Sequence, residues 1–354
     1  MKIGILTFHW ATNYGAVLQC YALQEYLRIQ GHDVEVINYK PKQYDDNIFT
    51  FLRFRKFLNL DEYLSWRKKE SALVAFRNSH LRQTKRISRC KDLAKIANCY
   101  DVVISGSDQV ANPSFLMFGE GKNVISPTYF LGFSFQGKRV SYAFSFGCIN
   151  YPEEPKKIAS KYISAFDYIS VREISGISIV KAMGRDDAKL VPDPTLLMES
   201  DFYNFLVKNA PLQIFEKYVY CFFIRHIVDR KAVMNKVLDR YNIIWNNEDD
   251  DYTMEGWLCK IKCSKFVVTD SFHCVVMCLK LHIPFVVITE QKGNVGMNDR
   301  LYTLLAKLNL CKQICFKDNI LECEFKWNYN WDEIDLSLKC FSEIGKFFLK
   351  NICI

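Results

Sequence analysis

The sequence predicts an α/β protein of two domains, each built on a mostly parallel sheet, facing each other across a cleft. Three observations lead there. Short β-branched or aromatic runs alternate with helical patterns along most of the chain. A proline-flanked break, Val191-Pro192-Asp193-Pro194, interrupts that alternation midway. The length, 354 residues, exceeds one typical domain. Domains are therefore expected at 1–198 and 199–354.

Residues 2–8 read as an apolar strand, 16–30 as a helix stopped by Gly31, and 33–39 as a second strand, a βαβ opening. Further strands are expected at 101–105, 139–144, 168–171 and 189–191, with helices at 153–166 and 174–183 separating several of them. Beyond the break come strand 218–224, helix 230–240, strand 242–245, helix 255–263, strand 265–269, helix 271–281 and strand 284–288. The C-terminus reads as a helix containing 336–349. In open sheets of this kind ligands sit at the carboxyl ends of the strands.

Composition excludes several classes. With 49% apolar and 15% aromatic residues the chain is not disordered. No apolar run reaches the ~18 residues of a membrane span, and Met1-Lys2-Ile3-Gly4 leads into no signal-peptide pattern, so a cytoplasmic protein with reduced thiols is expected. The net charge of +8 is concentrated: residues 49–95 hold 13 Lys and Arg against 4 Asp and Glu, and the remainder of the chain is near neutral. That segment opens with Phe51-Leu52-Arg53-Phe54-Arg55-Lys56-Phe57-Leu58, aromatics and cations at nearly helical spacing. It suits a helix lying on an anionic membrane surface, which would place the protein peripherally on the inner face of the membrane. A solvated helical insertion packing its aromatics on the body fits equally. No recognition module accompanies the charge, so nucleic acid is not expected as a partner.

Three loops stand out. Thr7-Phe8-His9-Trp10-Ala11-Thr12-Asn13-Tyr14-Gly15 joins the first strand to a helix, an arrangement for an anion or a sugar hydroxyl, or an ordinary loop in which Asn13 caps the helix. It is not GxGxxG, so no dinucleotide fingerprint is present. Ser105-Gly106-Ser107-Asp108-Gln109 follows another strand, where Asp108 suits a general base for a hydroxyl or a cap of the next turn. Val268-Thr269-Asp270-Ser271-Phe272-His273 ends a strand and starts a helix with His273 in its first turn. The helix dipole there favours an anion; it lowers the proton affinity of an imidazole, and a bound dianion would raise it. Cys259/Cys263, Cys274/Cys278 and Cys311/Cys315 repeat at i, i+4, which puts each pair on one helix face and fits core packing better than zinc. The acidic run at 248–251 reads as a solvated loop, and no metal is expected.

Taken in order, several stretches resemble the polysaccharide pyruvyl transferase family: Asn13-Tyr14-Gly15-Ala16-Val17-Leu18-Gln19, Ser105-Gly106-Ser107-Asp108-Gln109-Val110, Ile169-Ser170-Val171-Arg172-Glu173, Asp193-Pro194-Thr195-Leu196-Leu197, Val268-Thr269-Asp270-Ser271-Phe272-His273 and Asn298-Asp299-Arg300-Leu301. The resemblance implies a GT-B-like pair of Rossmann-like domains, with the sugar acceptor on the N-terminal domain and phosphoenolpyruvate on the C-terminal one. It implies transfer of the enolpyruvyl group to two hydroxyls of a sugar, in a polysaccharide or lipid-diphosphate-linked precursor, with phosphoenolpyruvate as co-substrate and no cofactor. On that basis His273 is the expected acid and Asp108 the base. Arg172, Arg300, Arg225 and Ser271 are expected at the donor, and Asn13, Tyr14 and Gln109 at the acceptor. Two positions depart from the family: Ala111 stands where a Trp is frequent, and Ser271 where some members carry Arg. A nucleotide-sugar glycosyltransferase shares the architecture, and a non-catalytic binder of anionic lipid or polymer would retain the basic segment. The sugar, the hydroxyl pair, the ketal stereochemistry and the oligomeric state are not written in these motifs.

Overall fold

The computed structural model describes residues 1–45, 60–116, 124–211, 218–225, 251–290, 297–316 and 327–352. The expected helix at 230–240 and strand at 242–245, the acidic residues 248–250 and the basic-aromatic stretch 51–59 lie outside these. By their contacts the residues separate into one unit of Met1–Leu197 with Ile344–Ile354 and a second of Met198–Glu343.

In the first unit, β1 (Lys2–Leu6), β2 (Asp33–Val36), β3 (Val102–Gly106) and β4 (Lys138–Tyr142) form a parallel sheet in the order β2-β1-β3-β4. Register places Ile3 beside Val34 on one side and Val102 on the other. β1 and β3, at the centre, are short apolar runs buried along most of their length, while the outer strands β2 and β4 carry charged residues at partly exposed positions. Gly4 lets them close up: a Cβ there would come within 2.9 Å of both Ile37 and Tyr100. Because β1 pairs with β2 on one side and β3 on the other, the strand order reverses between β1 and β3. Such a switch point opens a crevice beyond the carboxyl ends of those two strands.

Helix Tyr14–Ile29 leaves β1 through an Asn13 cap and ends before Gly31, whose φ of +87° suits glycine. Helix Glu153–Ile163 leads into a two-stranded parallel extension, β5 (Ser170–Val171) and β6 (Lys189–Leu190), whose strands are joined by helix Ile174–Ala182. Single bridges join the extension to the main sheet at Val140↔Tyr168 and Phe144↔Val171.

The basic segment is tied to the body. Its described part forms helix Leu60–His80 and then runs along β2, with bridges Val36↔Gln83 and Tyr39↔Ile87, before helix Cys90–Ala97. Arg77, Arg82, Arg86 and Arg89 each meet a carboxylate, from Glu70, Asp33, Asp45 and Asp92 respectively. Among the described residues no helix is long and apolar enough to cross a membrane.

The second unit carries β7 (Val219–Phe222), β8 (Phe266–Thr269), β9 (Phe285–Thr289) and β10 (Ile314–Phe316), all parallel in the order β10-β9-β8-β7. Helix Met254–Cys263 precedes β8, and helix Phe272–Leu281 joins β8 to β9. The last helix, Trp331–Ile352, starts in the second unit and ends in the first. A second domain running to 354 did not foresee this. The cause is packing: Phe348 lies 6.1 Å from the Tyr142 ring, and Gly345 is so close that a Cβ would come within 2.5 Å of the Tyr142 hydroxyl. Lys138 Nζ donates to the carbonyl of Ile352 at 3.0 Å.

The cysteine pairs differ from one another. Cys259 and Cys263 share a helix face with sulfurs 3.8 Å apart, and Cys274 and Cys278 are buried in the next helix. Cys311 and Cys315 do not lie on a helix face, because Cys311–Gln313 is a 3-10 turn and Cys315 is in β10. Cys315 is disulfide-bonded, which departs from the expectation of reduced thiols alone.

Candidate functional site

In the first unit the two loops at the switch point are joined directly. Thr7 Oγ1 donates to the Ser107 carbonyl at 3.0 Å and itself accepts from Gln19 Nε2 at 3.0 Å. Asn13 caps its helix, its Oδ1 accepting from the amides of Gly15 (2.9 Å) and Ala16 (3.4 Å). Its carbonyl is thus committed to the helix start. Tyr14 is buried, with Lys69 Nζ 4.3 Å from its ring centroid. Burial pushes that lysine down to about 8, against the pull of Glu70.

Helix Leu60–His80 therefore clamps the first loop, which the sequence did not reveal. Glu70 accepts from Thr12 Oγ1 and from Arg77 Nη2, both at 2.6 Å, and Arg77 also donates to the carbonyls of His9 and Ala11 at 3.4 Å. His9 is buried, with Nε2 3.3 Å from Asn38 Oδ1. Burial holds its pKa down at about 4.

The second loop turns sharply. Gly106 has φ +117°, and a Cβ there would sit 2.2 Å from the Tyr142 carbonyl. Asp108 follows at φ +65°, a left-handed conformation that Asp tolerates better than most residues. The Asp108 carboxylate lies 3.4 Å from Arg172 Nη2. Gln109 is buried and accepts from Asn112 Nδ2 at 2.6 Å, so its amide shapes the turn.

Arg172 leaves the end of β5 and is itself fully enclosed. Its Nη1 donates to Asp193 Oδ2 at 2.5 Å, and its Nε lies 4.0 Å from Glu173. Asp193 also accepts from Ser107 Oγ (2.9 Å), Thr195 N (3.0 Å) and Thr195 Oγ1 (2.7 Å). Burial works against the guanidinium charge, but Asp193, Asp108 and Glu173 more than offset it and raise its pKa. One cation among three carboxylates disfavours a bound anion here. The proline-flanked break thus holds a buried ion pair and is anything but a loose linker.

In the second unit the carboxyl end of β8 gathers the remaining candidates. Asp270 accepts from the backbone amides of Ile224 (2.7 Å) and Arg225 (2.9 Å), and Arg225 Nε lies 3.5 Å from the same carboxylate. Arg225 Nη2 reaches on to Asn298 Oδ1 at 2.6 Å. Ser271 caps the helix by accepting from Cys274 N at 3.3 Å, while its own amide donates to Thr269 Oγ1 at 3.0 Å. His273 is buried in the helix's first turn, its ring edge-on to Phe272 at 5.2 Å. The Arg300 guanidinium sits 5.6 Å over that Phe272 ring, brought there by helix Asp299–Lys307.

The structure thus brings Ser271, His273, Arg225 and Arg300 to one strand end in the second unit. Asn13, Tyr14, Asp108, Gln109 and Arg172 line the switch-point loops of the first. Arg172 is carried by the first unit, and Arg225 and Arg300 by the second. Position 111 is fully buried in the core of the first unit, so a larger side chain there would pack inside and would not face a sugar. Among the described residues no group of three His, Cys, Asp or Glu is placed to hold a metal ion.

A family model described as polysaccharide pyruvyl transferase matches residues 13–292. No curated protein matches the chain significantly. Among solved structures, the chain is similar to UDP-GlcNAc 2-epimerase from Neisseria meningitidis bound to UDP-GlcNAc (TM-score 0.45, 10% identity, 99% of this chain and 100% of that one). It is also similar to a Streptomyces glycosyltransferase (TM-score 0.41, 10% identity, 98% and 99%) and to E. coli heptosyltransferase WaaC with ADP (TM-score 0.41, 11% identity, 98% and 99%).

Proposed function

The chain belongs to the polysaccharide pyruvyl transferase family, and we propose that it moves the enolpyruvyl group of phosphoenolpyruvate onto two hydroxyls of a sugar, closing a cyclic pyruvate ketal. The acceptor in this reading is a polysaccharide precursor carried on a lipid diphosphate. Phosphoenolpyruvate is a co-substrate and the chain's own residues supply the chemistry. The observation that carries the reading is the cluster at the end of β8: a histidine in the first turn of a helix, with Arg225 and Arg300 beside it.

That cluster fits the donor. The helix start favours negative charge, and planar guanidinium groups match phosphate and carboxylate oxygens. His273, in its protonated form, gives its proton to the donor's methylene carbon, leaving an oxocarbenium-like centre at C2. A sugar hydroxyl bonds to that carbon while Asp108 takes its proton. The C2–O bond to phosphate then breaks, and the second hydroxyl closes the ring. Of the two hydroxyl protons, one is in balance found in the new methyl group and the other leaves with phosphate.

On the acceptor side Asp108 is the residue that meets the sugar. Arg172 acts through it, since the guanidinium bonded to Asp193 also reaches the Asp108 carboxylate and fixes where it points. Asn13 and Gln109 hold the two loops in shape, and Tyr14 forms the floor beneath Lys69.

Phosphate release from phosphoenolpyruvate should occur only with a suitable sugar present. A panel of lipid-diphosphate-linked galactosides, mannosides and glucosides, read by released phosphate and by the mass of the ketal, tests this. Release without any acceptor, or none across the panel, refutes the reading. Calorimetric binding of UDP in place of phosphoenolpyruvate would move the chain to nucleotide-sugar transfer.

A further inference from the structure

We propose, resting on the assignment of phosphoenolpyruvate to the second unit, that Asn298 is a donor-binding residue whose Nδ2–H group gives a hydrogen bond to an anionic oxygen of the ligand held beside Arg225. The orientation of the amide follows from its neighbour. A guanidinium can only donate, so the atom facing Arg225 Nη2 at 2.6 Å must be the amide oxygen. The NH2 half is then turned away from Arg225.

Asn298 is 1% exposed, and its Nδ2 meets no acceptor among the described residues. A buried amide donor left without an acceptor is costly, and native proteins seldom retain one unless something else completes it. Asp270, the carboxylate of this network, is turned to the backbone amides of Ile224 and Arg225 and makes no hydrogen bond with Asn298 Nδ2.

The surroundings specify what kind of acceptor fits. Arg225, the start of helix Phe272–Leu281 and Arg300 over Phe272 concentrate positive potential at the end of β8. A neutral N–H donor adds a hydrogen bond there without repelling Arg225. A phosphate or carboxylate oxygen is the acceptor this site would take. Asn298 thus does two things at once: its oxygen fixes the guanidinium and its nitrogen reads the ligand.

The discriminating variant is Asn298→Asp. It keeps the size of the side chain and an oxygen for Arg225, exchanges the N–H donor for a second oxygen and adds a negative charge. Asn298→Ala removes the donor without adding that charge, so the loss assigned to the donor is the part that both variants share. Calorimetry on the full chain would measure phosphoenolpyruvate and inorganic phosphate as separate probes, with a thermal melt of each variant. The expected result is about a 10- to 100-fold loss of affinity for both anions. The melting temperature should be unchanged or raised, and kcat at saturating donor should fall far less than kcat/KM. Equal anion affinity in the variant and the parent overturns the proposal. So does a melting temperature that drops in step with affinity, which would make the residue structural. If the parent binds phosphate but not phosphoenolpyruvate, the donor assignment fails while the role of Asn298 is still read from phosphate. If the parent binds neither, both fall.

Discussion

Replacing Arg172 with alanine separates two roles that the sequence alone does not distinguish. The substitution takes the guanidinium from buried Asp193, which still accepts from the neutral donors Ser107 Oγ at 2.9 Å, Thr195 N at 3.0 Å and Thr195 Oγ1 at 2.7 Å. It also removes the guanidinium that offsets Asp108 and Glu173. Breaking a buried pair from one side costs about 3–5 kcal/mol. For a unit of this size each kcal/mol is about 2–4 °C in Tm, so the melt should fall by roughly 6–20 °C. Circular dichroism melts and urea titrations would measure it. The paired variant Arg172→Met with Asp193→Asn removes both charges and should recover at least about 2 kcal/mol of the single-variant loss. Phosphoenolpyruvate affinity, taken by calorimetry well below the melt, should stay within a few-fold of the parent. A melt within about 2 °C of the parent, together with lost phosphoenolpyruvate affinity, would refute this reasoning and return Arg172 to the donor.

Other outcomes follow from the same geometry. His273→Gln should lower kcat by about 10²- to 10⁴-fold while leaving phosphoenolpyruvate affinity within a few-fold, as measured by phosphate release and calorimetry; a variant with full turnover removes the proposed acid. His9 is held at about 4 in the folded chain against an ordinary 6.5, so below pH 6.5 the unfolded chain gains a proton that the folded one refuses. Stability should then fall by up to about 3 kcal/mol as pH drops from 6.5 through 4, and His9→Gln should flatten that part of a urea-midpoint profile. Gly106→Ala would drive a Cβ to 2.2 Å from the Tyr142 carbonyl at φ +117°. It should lower stability by about 2 kcal/mol or more in a urea titration, and a variant as stable as the parent would show that the loop turns differently. Cys263, which the hydrogen bond from Cys259 lowers to about 7, should alkylate with a midpoint near pH 7, and Cys259→Ala should move that midpoint upward.

Much of the architecture was legible because it is written locally. The apolar run of β1, the Asn13 cap and Gly31 mark a βαβ opening within forty residues, and Thr269-Asp270-Ser271 marks a strand end and a helix start. The place of His273 in the first turn of that helix was legible for the same reason. What the sequence concealed is long-range. The pairing of Arg172 with Asp193, the reach of Arg225 to Asn298 and the clamp of Glu70 and Arg77 on the first loop each join residues that no periodicity connects. The basic segment shows this most plainly. Counted as charge it suggested a surface of its own, yet four of its arginines are answered by carboxylates once the chain is folded. Cys311 and Cys315 were misread because their spacing fits a helix, while the chain there makes a 3-10 turn into an edge strand. Both departures come from tertiary packing overriding a local pattern.

The final helix has a practical bearing on how this protein can be taken apart. The N-terminal unit is discontinuous in sequence, since residues 344–354 complete it after the whole of the second unit has been made. A recombinant fragment ending at 197 would expose the Tyr142 side of its core where Phe348 and Gly345 belong. During synthesis the packing of the first unit is complete only once residues 344–354 have followed the second unit out of the ribosome. A tag or truncation within residues 344–354 is therefore an intervention on the first unit, remote in sequence but adjacent in space.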